Sequence, residues 1–118
     1  MATQEELTIQ KTTTENDVVV LTLAGSIGNA TYGRLEAAIN EVFATGNYSV
    51  ILDVANVRYV SSSGAGVLMN AFLQARDNQG KLVLVRVPPT VANILELLNL
   101  QAILPVAADM PSALALFT

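Results

Sequence analysis

Three consecutive serines followed by a Gly-Ala-Gly at residues 64–66 form the stretch of this sequence best suited to chemistry. Serine is favoured at the amino-terminal end of a helix, because its hydroxyl oxygen accepts hydrogen bonds from free backbone N–H groups there. Those N–H groups and the helix dipole also favour an anion, including a phosphate. Ser61, Ser62 and Ser63 are therefore the candidate functional residues, with a helix cap as the structural alternative.

The chain has no histidine and no cysteine among its 118 residues. This excludes Ser-His and Cys-His nucleophilic pairs, disulfides and the usual zinc and transition-metal ligands. No G-x-x-x-x-G-K-[ST] sequence is present, and Gly64 and Gly66 lack the third glycine of a dinucleotide fingerprint. We predict a protein that is not an enzyme and that binds neither a cofactor nor a metal.

Composition and charge narrow the class of protein further. Hydrophobic residues make up 52% of the chain and charged residues 14%, which favours a well-buried sheet over disorder. The net charge is −4 and no stretch clusters Lys and Arg, so a nucleic-acid footprint is absent. No apolar run approaches the roughly 20 residues that span a bilayer, and the amino terminus does not resemble a signal peptide. We expect one cytoplasmic domain over residues 1–118, a monomer or weak dimer that binds neither nucleic acid nor membrane.

Hydrophobic periodicity predicts the elements that must position the serines. An apolar run at residues 50–52 predicts a strand before them, and Ala65, Leu68 and Phe72 recur at helical spacing after them. Residues 53–59 carry turn formers and mixed polarity, which predicts a loop. The other predicted strands are residues 7–11, 18–23, 81–87 and 103–106, and the other predicted helices begin near Thr31, Thr90 and Pro111.

The first two strands are joined by a polar turn and favour an antiparallel hairpin, which a loop at residues 25–29 ends. Strands and helices then alternate, in the order β-β-α-β-α-β-α-β-α. Such alternation implies parallel strands joined by right-handed crossovers and covered by helices. We predict the α/β class, with a mixed sheet that has an N-terminal antiparallel hairpin, later strands that are parallel, and flanking helices.

Individual side chains around the serines have predicted structural roles. Ser63 is the better placed helix cap, since it lies nearest the periodic region. Gly64 and Gly66 are expected to let the start of the helix pack closely against the sheet. Asp53 is expected to accept hydrogen bonds from loop N–H groups at the end of its strand.

The serine stretch with its flanks resembles the signature of the STAS domain family, named for sulfate transporters and anti-sigma factor antagonists. The resemblance rests on residues 50–53, Val57, residues 59–68 and residues 25–27. It extends over nearly the whole chain. A single-domain chain of this length is similar to the bacterial anti-sigma factor antagonists.

The resemblance implies a STAS-like fold and a function in the regulation of transcription. In the family, the unphosphorylated protein binds an anti-sigma factor, usually a serine kinase, and frees a sigma factor. The kinase phosphorylates the serine two positions before the first glycine of the motif, and a phosphatase reverses this. That serine corresponds to Ser62, with Ser61 and Ser63 as second choices. The implied partner-binding residues are Arg58, Tyr59, Ser61, Ser62, Ser63, Gly64 and Ala65.

Two positions differ from the pattern that is common in the family. Ser61 and Gly28 stand where many members carry aspartate, so two carboxylates near Ser62 are absent. This absence favours an alternative, a constitutive scaffold subunit of a signalling or transporter-associated assembly in which the serines are only caps. A nucleotide-binding module at the same loop is a weaker alternative, because no lysine lies close by.

Overall fold

The computed structural model describes residues 6–117, which form five strands and four helices in the predicted order. The elements are β1 Leu7–Thr13, β2 Val19–Ile27, α1 Tyr32–Ala44, β3 Ser49–Val60, α2 Ser62–Asp77, β4 Lys81–Val85, α3 Pro89–Leu97, β5 Val106–Ala107 and α4 Met110–Ala115.

The five strands form one sheet in the order β1-β2-β3-β4-β5. β1 and β2 are antiparallel, with Leu7 opposite Gly25 and Thr13 opposite Val19. The three later pairings, β2 with β3, β3 with β4 and β4 with β5, are all parallel. The predicted fold class, a mixed α/β sheet that starts with an antiparallel hairpin, is confirmed.

Strand side chains point alternately to two apolar layers, one on each face of the sheet. One layer packs against α1, α2 and α3 and includes Leu68 and Leu95. The other layer packs against α4 and includes Ile51, Val83 and Ala113. Helices therefore flank the sheet on both faces, as parallel strands require.

The third strand is longer than its sequence pattern predicted. β3 covers Ser49–Val60, so the loop predicted at residues 53–59 is wrong. The register against β2 shifts at two places, and each shift inserts one extra residue into β3. Val54, Val57 and Val60 consequently face the same apolar layer at a spacing of three residues rather than two. Because bulges disrupt the alternation of a regular strand, this segment had the sequence pattern of a loop.

The second strand is also longer than predicted. β2 covers Val19–Ile27, so the loop expected to begin at Gly25 is wrong. Gly25 has a φ of +117°, and a Cβ atom there would collide with the backbone carbonyl of Glu6. Glycine thus lets β1 pass closely while β2 continues. β2 and β3 run on together until Ile27 lies opposite Val60.

Strand boundaries in the second half differ from the predicted ones by a few residues. β4 ends at Val85 rather than at residue 87, because Arg86 adopts a left-handed φ of +59°. β5 is limited to Val106–Ala107 rather than residues 103–106. The residues before it form turns in which backbone N–H groups donate to the carbonyl of Leu100.

Candidate functional site

The candidate serines lie where β2 and β3 end side by side. The backbone N–H of Ser61 donates to the carbonyl oxygen of Ile27 at 2.7 Å, which ties the start of α2 to the end of β2. α1 begins a few residues after the same strand end. Ligands of open α/β sheets commonly bind at this carboxyl-terminal edge.

Ser61 is the N-cap of α2. Its backbone is extended, and its Oγ accepts a hydrogen bond from the backbone N–H of Gly64 at 3.0 Å. The residue is only 7% exposed. The prediction that Ser63 caps the helix is wrong, because α2 begins at Ser62 and leaves Ser61 directly before the first turn.

Ser62 and Ser63 occupy the first two positions of α2, and both are exposed. Within residues 6–117, neither hydroxyl takes part in a hydrogen bond. The interpretation of Ser62 as a cap alone is therefore wrong. Its hydroxyl is accessible from solution.

The residues directly after the serines determine how closely the start of α2 packs against β2. A Cβ atom on Gly64 would lie 2.6 Å from Cγ2 and 2.8 Å from the carbonyl oxygen of Ile27, so the predicted close packing is confirmed. The same prediction is wrong for Gly66, where a Cβ atom would meet nothing within 4 Å. Ala65 is 2% exposed and belongs to the core. Gly64 and Ala65 are thus buried in the free chain.

Arg58 and Tyr59 lie at the second bulge of β3, and both are exposed. Tyr59 is opposite Ser26 and is 48% exposed. The predicted partner-binding residues therefore fall into an exposed group and a buried group. Arg58, Tyr59, Ser62 and Ser63 are accessible in the free chain, whereas Ser61, Gly64 and Ala65 are buried.

Thr31 organises the segment next to the serines, a role that sequence reasoning missed. Its Oγ1 donates to the carbonyl oxygen of Ser26 at 2.6 Å and accepts from the backbone N–H of Gly28 at 2.9 Å. The side chain is thus fully used and does not cap α1, although Thr31 holds the N-cap position. The sequence carried no signal for this role, because a threonine before a helix indicates an N-cap.

Asp53 stabilises the first bulge of β3. Its Oδ1 accepts from the backbone N–H of Ala55 at 3.2 Å, and its Oδ2 pairs with the guanidinium of Arg86. Asp53 is 4% exposed, so the ion pair keeps a buried carboxylate from being unpaired. The predicted hydrogen bond to a nearby N–H is confirmed, although Ala55 lies in a strand. The partner 33 residues away was not predicted.

Residues 6–117 contain no group of three or more acidic side chains that could hold a metal ion. Over the same residues, every helix is too short or too polar to cross a membrane. A polar cleft of about 530 Å³ lies at the opposite end of the sheet, where Asp17, Asn47 and Gln79 help to line it.

The family model of the STAS domain matches residues 9–113 of this chain. The chain belongs to the STAS domain family. A relative from Bordetella bronchiseptica, named as an anti-sigma factor antagonist, BtrV, is 32% identical over 100 residues. That match covers 85% of this STAS chain and 86% of the relative.

Solved structures share the STAS fold of this chain. The crystal structure of an anti-sigma factor antagonist from Mycobacterium paratuberculosis has a TM-score of 0.86 at 21% identity, covering 99% of this chain and 98% of that one. The Bacillus cell fate determinant SpoIIAA in its phosphorylated form has a TM-score of 0.69 at 17% identity, covering 92% of this chain and 99% of that one.

Proposed function

We propose that this STAS protein is an anti-sigma factor antagonist that phosphorylation of Ser62 switches off. Unphosphorylated, it binds an anti-sigma factor that is also a serine kinase, and a sigma factor is released. The kinase phosphorylates Ser62 and a phosphatase reverses the reaction. The protein acts in the cytoplasm by binding rather than catalysis, with residues 1–118 as one STAS domain. The observation that carries this proposal is the exposed hydroxyl of Ser62 beside the buried hydroxyl of Ser61.

The three serines are not equivalent as phosphate acceptors. A kinase needs the serine oxygen as a nucleophile, held in line with the transferred phosphoryl group. The Ser61 oxygen is buried and already bonded to the N–H of Gly64. Ser62 and Ser63 are both accessible, and Ser62 holds the position two residues before Gly64 that the family motif assigns to the phosphoserine.

The free protein is well suited to carry the phosphate. A phosphoserine adds about −1.5 to −2 charges at neutral pH. Ser62 is the first residue of α2, and the first turn of that helix contains no acidic side chain. Negative charge at this end of a helix is favourable by about 0.3–1 kcal/mol. Phosphorylation is therefore expected to leave the fold intact.

The bound protein is expected to tolerate the phosphate poorly. A partner that covers Ser62 removes its exposed hydroxyl from water. An unpaired charge buried in such an interface costs several kcal/mol. About 5.5 kcal/mol is enough to reverse a 99:1 equilibrium. The difference between the free and the bound states is what makes the switch.

Serine in place of aspartate before Ser62 still caps the helix. Serine and aspartate are both strong N-caps, and Ser61 makes the capping bond to Gly64. Ser61 alone among the three serines caps the helix, so Ser62 and Ser63 lack the structural role that the scaffold alternative gave them. The relative named as an anti-sigma factor antagonist and the phosphorylated form of SpoIIAA lend further support.

The test combines phosphate mapping with binding measurements. The purified chain is incubated with ATP and with each anti-sigma serine kinase encoded in the same genome, and the product is mapped by mass spectrometry. We expect one phosphate on Ser62, none on Ser62→Ala, and normal uptake by the matched control Ser63→Ala. Titration calorimetry should show at least tenfold weaker kinase binding after phosphorylation, or about 1.4 kcal/mol. Unchanged affinity after phosphorylation would instead favour the scaffold.

A further inference from the structure

An apolar groove of about 370 Å³ crosses the edge of the sheet where β4 begins. Its apolar lining consists of Phe72 on α2, Leu82 and Val83 on β4, Pro105 before β5 and Leu116 after α4, and we call it the β4 groove. Leu82 belongs to the apolar layer that packs against α1, α2 and α3, whereas Val83 belongs to the layer under α4. The groove therefore passes from one face of the sheet to the other.

The groove is open because β5 covers only part of β4. β5 pairs with Leu84 and Val85, so within residues 6–117 no strand lies beside Lys81–Val83 on the side away from β3. The carbonyl of Pro105 accepts from the N–H of Leu84 at 2.9 Å. Proline has no N–H of its own, so Pro105 cannot extend the ladder towards the beginning of β4.

The walls of the β4 groove leave apolar surface in contact with water. Leu116 is 41% exposed, Phe72 and Pro105 are half-buried, and Leu82 and Val83 are buried beneath them. Sites for small molecules are typically concave and mostly apolar, with a few polar groups that fix the orientation of the ligand. An alkyl chain in the groove would remove apolar surface from water on both partners.

The charged residues that line the groove are both cations, Arg76 and Lys81. Lys81 Nζ donates to the backbone carbonyl oxygen of Leu116, which also lines the groove. Because this acceptor is neutral, it does not offset the ammonium charge, and within residues 6–117 Lys81 forms no ion pair. An ammonium group has three N–H donors, so two of them remain for a ligand.

Arg76 is the second cation of the groove, and its charge is partly offset. Its guanidinium lies 3.4 Å from the carboxylate of Asp77, and the two side chains are 62% and 66% exposed. Ion pairs exposed to this degree are weak. The guanidinium also lies 6.0 Å from the centre of the Phe72 ring. Lys81 is therefore the better anchor for an anion, and Arg76 adds positive potential beside it.

We propose that the β4 groove binds a fatty acid, with the alkyl chain against the apolar walls and the carboxylate paired with Lys81. Charge selects this occupant, because the described lining offers no carboxylate to a cationic ligand and a neutral chain would leave Lys81 unused. Ser62 and Arg76 lie about 21 Å apart along α2, at 1.5 Å per residue. The groove is thus separate from the serine stretch, and this inference does not rest on the proposed function.

The test is a calorimetric titration of the purified chain with hexanoate, octanoate and decanoate below their micelle concentrations. Decanol supplies the same chain as decanoate without the charge. Lys81→Gln removes the anchor, and Lys11→Gln makes the same change at the other lysine of the chain, on β1. Leu116→Ala shortens an apolar wall, and Leu97→Ala is its control at a leucine that is 82% exposed. Circular dichroism melts verify that each variant is folded.

We expect the affinity for the acids to rise about fourfold with each buried methylene group. Decanol should bind at least tenfold more weakly than decanoate. Lys81→Gln should weaken the binding of decanoate to the same degree and leave that of decanol unchanged. Leu116→Ala should weaken the binding of both ligands, whereas Lys11→Gln and Leu97→Ala should match the wild type.

Three results would overturn this proposal. The first is no binding of any of the three acids, and the second is equal affinity for decanol and decanoate. The third is a loss with Lys11→Gln in place of Lys81→Gln, which would put the ligand in the separate groove that Lys11 lines. None of these results bears on phosphorylation of Ser62, because the titration contains no partner protein.

Discussion

The Oγ of Ser61 accepts the backbone N–H of Gly64 at 3.0 Å, and this bond separates the roles of three adjacent serines. One hydroxyl is used inside the fold, while the two that follow are exposed on the first turn of α2. A capped helix start also holds Ser62 in a defined place at the edge of the sheet. The surface proposed to bind an anti-sigma factor depends on that geometry.

Removing the cap should destabilise the protein without removing the phosphate acceptor. Ser61→Ala is expected to lower the free energy of unfolding by about 0.5–2 kcal/mol, because the N–H of Gly64 loses its acceptor. Ser61→Asp should retain most of the stability, since aspartate caps equally well. Ser63→Ala is the matched control, and urea denaturation should show a change within about 0.5 kcal/mol. A larger loss for Ser63→Ala than for Ser61→Ala would contradict the assigned cap.

The two glycines of the motif should respond to alanine in opposite directions. Gly64→Ala should be destabilising, because its Cβ would lie 2.6 Å from the side chain of Ile27. Gly66→Ala should stabilise by about 0.5–1 kcal/mol, because the position is helical and open and alanine loses less backbone entropy on folding. Thermal denaturation of the two variants measures the contrast directly. Equal effects would show that the start of α2 is not pressed against β2.

A fixed negative charge at Ser62 should separate folding from binding. Ser62→Asp is expected to stabilise the free protein by up to about 1 kcal/mol at low salt, because it adds an acidic residue to the first turn of α2. The gain should shrink in high salt. The same variant should bind the anti-sigma factor at least tenfold more weakly, while Ser62→Ala should bind normally. Denaturation at two salt concentrations measures the stability of the variant, and calorimetry measures its binding. Tight binding by Ser62→Asp would argue against a switch at this residue.

Asp109 should make stability depend on pH in the acidic range. It caps α4, and hydrogen bonds from the side chain and then the backbone of Ser112 lower the pKa of Asp109 below its ordinary value of 3.8. A lowered pKa in the folded state means that the unfolded chain binds the proton more tightly. The stability due to this group is therefore complete above the unfolded pKa and is lost as pH falls through the folded one.

The variant Asp109→Asn isolates this effect, because asparagine also caps but does not titrate. The difference in unfolding free energy between wild type and variant should be constant near neutral pH and should shift against the wild type below about pH 4. Denaturant titrations across this range measure it. A difference that does not vary with pH would mean that the carboxylate of Asp109 is not held by Ser112.

Sequence patterns over short stretches of the chain were sufficient to predict much of the fold. Element order, the antiparallel hairpin and the parallel later strands follow from hydrophobic periodicity and from the turn residues between the runs. The serine stretch itself was found in the same way, since its signal lies in adjacent residues.

The tertiary structure decided how that stretch is presented. Two bulges in β3 exist only relative to β2, so no pattern within residues 53–60 could reveal them. They extend the strand up to Ser61, which makes Ser61 the cap in place of Ser63 and exposes Arg58 and Tyr59. The pairing of Asp53 with Arg86 likewise joins residues that meet only when β4 lies beside β3. Hydrophobic periodicity indicates which residues are buried in a regular helix or strand. A residue inserted at a bulge breaks that period, and the direction of its side chain depends on the pairing with the neighbouring strand.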